Sequence, residues 1–264
     1  MKEMEMLTRT LYAIPMAAVA LWLGVWGSTL GFSVLTGAVV LTASYEVCTL
    51  YRRRLDILKS NEYLDMIICY TLVALYGLVF STSAFYIRDY NLIPFLFSVV
   101  WIADTSALCV GKMSTFLSSV LVADNADNDK IKRKNTRLLR FISEHKTISG
   151  CIGGLCGGTL TGMLVLYNTE TMFANNNDIN CFFLSAVTAM AAVCGDLIES
   201  AFKRMCQTKD SDVFIRIPGH GGILDRVDSI LVATPVCCMY LDFLLRNSGD
   251  GFRSVGGGGT KSTN

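Results

Sequence analysis

The chain has 264 residues, 52% of them apolar and 17% charged, with a net charge of +1 at pH 7. Soluble domains carry about 25% charged residues, so this composition excludes an ordinary water-soluble domain, and the near-zero charge offers no bulk attraction to nucleic acid. The ten cysteines are scattered, several inside apolar runs and none in a CxxC pair; they read as small buried hydrophobes rather than a zinc site or a disulfide framework.

The apolar residues fall in blocks near the ~20 residues that cross a bilayer core as a helix. The first, 11–28, follows Lys2 and Arg9 as a signal peptide would, but it runs almost directly into a second block at 30–50 and is read as a retained span. Further spans are expected at 63–82, 92–110, 148–168, 179–199 and 227–245, with a short re-entrant piece at 113–123. The predicted fold is all-α, a polytopic integral membrane helical bundle of about seven (seven to nine) transmembrane helices. Residues 1–100 supply N-terminal helices, 101–246 a catalytic membrane region with its loops, and 247–264 a flexible polar tail that contains GGGG at 256–259.

With the N-terminus in the cytoplasm, 19 of the 23 lysines and arginines fall on the cytoplasmic side, and such asymmetry sets orientation. The loop at 111–147 includes DNADNDKIKRKNTRLLR and reads as a solvated segment near anionic headgroups.

Candidate chemistry gathers at that face. In CGDLIESAFKRMCQTKD (194–210), Asp196, Glu199, Ser200 and Lys203 share one face if the helix continues. A simple Glu199–Lys203 pair at a polar helix end is the plainer reading. PGHGGILDRVD (218–228) breaks the chain at Pro218 and Gly219, then starts a span with Asp225, Arg226 and Asp228. Glycine-rich turns before helices cradle anions on free amides. Upstream, Asp104 lies in WIADTSALCVGK, and Ser143, Lys146 and Thr147 lie in ISEHKTISGCIGG. Asp104 is equally a polar contact between helices, His145 reads as a surface residue, and His220 stands between phosphate contact and loop packing. Carboxylates without cysteine or clustered histidine suit a hard ion, Mg2+.

The ordered pattern of Ser200, Lys203, Arg204, Lys209, Asp210, His220, Gly221, Gly222, Asp225, Arg226 and Asp228 resembles the C-terminal signature of the phosphatidate cytidylyltransferases, or CDP-diacylglycerol synthases. DTSA at 104–107 and SEHKTISGCIGG at 143–154 also resemble family segments, so the resemblance covers roughly 100–230. The chain departs from the pattern in a longer spacer before His220, in Ser106 for glycine, in Glu144 for proline and in Ser149 for glutamate. The resemblance implies transfer of a cytidylyl group from CTP to phosphatidate with release of pyrophosphate and a need for Mg2+, with a monovalent ion such as K+ alongside. It implies that Asp196 and Asp225 hold the metal. Lys203, Arg204, Lys209 and Arg226 would neutralise pyrophosphate and orient the headgroup, while Ser200, Ser143, Lys146 and Thr147 would contact phosphate or nucleotide. Asp104, Asp210, His220, Gly221, Gly222 and Asp228 complete the expected binding set. A homodimer is implied by the resemblance alone, and the short chain favours a bacterial inner membrane with the site facing the cytoplasm. The alternatives are a CTP-dependent polyprenol or dolichol kinase and a secondary transporter. The complete signature speaks against the first, and charges at span ends rather than mid-span speak against the second.

Overall fold

A computed structural model describes residues 27–58, 62–121, 146–168, 178–207 and 223–247. Among them every regular element is an α-helix: α1 Thr29–Leu58, α2 Glu62–Asp89, α3 Ile93–Leu121, α4 Ile148–Asn168, α5 Asp178–Met205 and α6 Leu224–Asn247. All six are long and apolar enough to cross a membrane. The chain is a polytopic membrane helical bundle, as composition and block length require. The expected span at 11–28 lies almost wholly outside the described residues, as does the tail.

One expectation is corrected. The piece at 113–123 is not a separate re-entrant element up to its described end, because α3 runs unbroken from Ile93 to Leu121. No proline interrupts residues 105–121 and Gly111 is the only glycine there. The Thr115 hydroxyl donates back to the Gly111 carbonyl at 2.9 Å, within the same helix.

The bundle is held together where side chains are smallest. Gly150, Gly154, Gly158 and Gly162 recur every fourth residue on α4 and are buried. A Cβ on Gly150 would stand 2.8 Å from the Ala107 carbonyl of α3, and one on Gly158 2.8 Å from Ala189 of α5. Membrane helices lack a hydrophobic drive to associate and rely on such close backbone approach. α4 therefore wedges between α3 and α5, while α6 packs on α5 and touches α1, α2 and α3.

The apolar core sits toward one end of the bundle. Ile87, Leu92, Phe95, Leu166, Leu184 and Leu241 are fully buried there, close to the α2–α3 and α4–α5 connections. At the first of these, Asn91 adopts φ 56°. The Asn91 amide donates to the Arg88 carbonyl and the Leu92 amide to that of Ile87, a Schellman stop that reverses the chain in three residues. Large apolar side chains such as Leu72, Leu78, Leu160, Leu164 and Phe243 point outward, as lipid contact demands.

Pro235 lies inside α6. It has no amide to offer the carbonyl four residues back, that of Leu231. The Tyr76 hydroxyl of α2 donates to that carbonyl at 2.8 Å, which satisfies a polar group that lipid cannot.

Candidate active site

The bundle end opposite the apolar core brings together ionisable side chains from several elements. Gly195 sets this up. A Cβ there would lie 2.8 Å from the Asp228 carbonyl and 3.1 Å from the Ser229 Cα, so α5 and α6 meet backbone to backbone one residue before Asp196.

The first group centres on Lys146, two residues ahead of α4. Its Nζ pairs with Asp196 Oδ1 at 2.6 Å, and donates to the Asp196 carbonyl at 2.7 Å and to Ser200 Oγ at 2.9 Å. Two of those contacts are hydrogen bonds and the third is an ion pair. Asp104 of α3 and Asp228 of α6 lie within electrostatic reach of both Asp196 and Lys146. The Ser229 hydroxyl donates to Asp104 at 3.3 Å, so the predicted interhelix polar contact exists beside the charged cluster. Asp196 is 39% exposed.

The second group is Lys203, Glu199 and Asp225. Lys203 Nζ lies 2.7 Å from Glu199 Oε2 on its own helix and 3.1 Å from Asp225 Oδ1 on α6. The plainer Glu199–Lys203 pairing is therefore present, but extended by a third residue. Oε1 of Glu199 is buried with no donor among the described residues, and that carboxyl faces Asp225 and lies in range of Asp228. Exposure here is only 7% for Glu199 and 15% for Lys203 and Asp225.

Asp196 and Asp225, expected as a pair of metal ligands, thus belong to different groups that adjoin through Asp228. Arg204 and Arg226 are exposed at the last turn of α5 and the first turn of α6. Thr147 caps α4, its Oγ1 accepting from the Gly150 amide at 3.1 Å and from the Ser149 hydroxyl at 3.2 Å. Ser143, His145, Lys209, Asp210, His220, Gly221 and Gly222 lie outside the described residues.

Glu46 of α1 escaped the sequence reading. It is fully buried and accepts from the Ile223 amide at 3.1 Å and the Leu224 amide at 2.9 Å. The amides that open α6, expected to be free for a phosphate, are therefore already occupied at these two positions. The signal was present: Glu46 is the sole charged residue of the block at 30–50, and an ionisable residue inside a span is expensive unless it has a purpose.

The carboxylates of Asp104, Asp196 and Asp228 offer the oxygen ligands a hard cation prefers, with the Lys146 ammonium beside them. Among the described residues no three or more histidine, cysteine, aspartate or glutamate side chains close around a metal position. Mg2+ does not require such a cage, since it takes one or two carboxylates and completes its shell with water and phosphate. The residues fit an ion that arrives with a polyphosphate.

Residues 131–244 match the Cytidylyltransferase family. The chain is 31% identical over 217 residues to a phosphatidate cytidylyltransferase of Staphylococcus haemolyticus, covering 81% of this chain and 70% of that protein. It is 33% identical over 188 residues to one of Staphylococcus aureus strain COL, covering 68% and 61%. Over 155 residues it is 33% identical to one of Haemophilus influenzae, covering 58% of this chain and 46% of the relative. The matched part therefore spans less than two thirds of the last two proteins.

Proposed function

The chain belongs to the phosphatidate cytidylyltransferase family, and from that premise we propose that it transfers the cytidylyl group of CTP to phosphatidate, forming CDP-diacylglycerol and pyrophosphate. The observation that carries the reading is the convergence of Asp104, Lys146, Asp196, Ser200, Lys203, Asp225 and Asp228 from three helices and one loop at one bundle end.

The reaction needs no strong base. A phosphomonoester has its second pKa near ~6, so the phosphatidate phosphate is already an anionic nucleophile. One of its oxygens bonds to the α-phosphorus of CTP, the bond from that phosphorus to the bridging oxygen breaks, and the electron pair leaves with pyrophosphate. The obstacle is repulsion between anions, which fixed cations and positioning relieve. Lys146 and Lys203 are the candidate cations. Both are held by carboxylates; at the more open Lys146 phosphate oxygens would replace Asp196 as substrate enters, while Lys203 would add its charge from within its buried group. Ser200 offers a hydroxyl beside Lys146. Mg2+, held by Asp196 and Asp225 with Asp104 and Asp228 alongside, would supply charge neutralisation on the triphosphate.

The one-sided distribution of basic residues supports a site that faces the cytoplasm, where CTP is found. The bacterial relatives support a bacterial cytoplasmic membrane. The test is purified protein in detergent with phosphatidate, Mg2+ and CTP labelled at the α-phosphate. Label in the lipid phase with pyrophosphate released is expected. Label left in the aqueous phase would overturn the reading, and release of CDP with a prenol acceptor would replace it with a kinase.

A further inference from the structure

We propose that Glu46 is a positioning residue for this reaction, fixing the first turn of α6 and with it Asp225 and Asp228. The inference rests on the functional reading above and deepens it. Two independent features carry it. The first is the carboxylate itself, fully buried and bonded to two consecutive amides at the N-terminus of α6. The first amides of a helix have no intrahelical acceptor, and the positive end of the helix dipole favours an anion there. Glu46 meets both requirements from another helix. The second is the face that presents it. Ala43, Val47 and Leu50 stand with Glu46 at helical spacing on α1, and they pack with Phe202 and Cys206 of α5 and Leu224, Val227 and Leu231 of α6. α1 thus clamps the end of α5, which carries Lys203, to the start of α6, which carries Asp225. Asp225 is two residues beyond Ile223, so the bonded amides set where its carboxylate meets Lys203.

Misplacing a reacting group by about 1 Å can cost about 100-fold in rate. Loss at Glu46 should therefore appear in kcat and in the Mg2+ concentration required, with a smaller change in KM for CTP. The experiment compares wild type with Glu46→Gln, Glu46→Asp and Glu46→Ala in detergent, by label transfer from CTP and by amide exchange of the segment that begins at Ile223. Glu46→Gln keeps shape but loses the charge and one acceptor. A fall in kcat of about tenfold or more, with a raised Mg2+ requirement and faster exchange, is expected. Glu46→Asp keeps the charged acceptor and should restore part of both. Should Glu46→Ala fail to fold, the Gln and Asp pair still decides. Unchanged exchange and kcat in Glu46→Gln would overturn the proposal, as would a kcat loss that Glu46→Asp does not lessen. If wild type transfers no label, the functional reading fails by itself, and exchange still reports whether Glu46 holds the α6 turn.

Discussion

The two lysine-centred groups use the same residue types and differ in where the lysine comes from. Lys203 sits one turn from Glu199 on α5 and reaches one residue of α6, Asp225, in surroundings that leave Glu199 only 7% exposed. Lys146 arrives from the chain before α4 and is 22% exposed, against an Asp196 that is 39% exposed. A buried pair binds helices together and is costly to break. An open one is worth little to stability and is free to exchange partners with a ligand. The difference teaches that one cluster of charge at this bundle end can serve two purposes: the Lys146–Asp196 group is open enough to exchange partners, as the proposed reaction would require, and the Lys203–Glu199–Asp225 group ties α5 to α6.

The largest effect that sharpens this contrast is expected at the open group. Asp196→Asn should lower label transfer by roughly 10²–10³-fold, while the melting temperature in detergent stays within a few degrees of wild type. A smaller loss is expected where the group is moved rather than altered. Gly195→Ala drives a methyl to 2.8 Å from the Asp228 carbonyl and should cost about 1–3 kcal/mol by overpacking, with reduced transfer. Gly37→Ala is its control, since a Cβ there meets nothing within 4 Å; it should leave activity intact and stabilise α1 by about 0.5–1 kcal/mol. Thermal unfolding of both variants checks the pair. A comparably small effect is expected at Tyr76 of α2, which belongs to neither group. Tyr76→Phe removes the donor to the Leu231 carbonyl and should cost about 1 kcal/mol, with transfer unchanged.

How much of this was legible in the sequence follows from the range of the forces involved. Block length and hydropathy are local, and they located α4 at 148–168 with the boundaries the structure has. The i, i+3, i+4, i+7 face of Asp196, Glu199, Ser200 and Lys203 needed only that α5 continue to Met205. The span expected at 92–110 continues without a break to Leu121, so the short piece at 113–123 is, as far as Leu121, the extension of that helix. Partnerships between distant segments were not legible. Lys146 finds Asp196 fifty residues away, and Glu46 reaches Leu224 across 178 residues. Spacing carries no information about such contacts. The lone charge of Glu46 did mark an unusual residue, but only packing reveals what it touches.

The most direct test of the division between the two groups places Lys146→Met beside Lys203→Met, with label transfer and melting temperature measured on both. Lys146→Met should melt within a few degrees of wild type, a change of about 1 kcal/mol or less, and lose about 100-fold in transfer. Lys203→Met leaves two poorly exposed carboxylates without their cation and should lose about 3–5 kcal/mol, near 10 °C for a chain of this size. Full transfer activity in Lys146→Met, or an unchanged melting temperature in Lys203→Met, would contradict the account.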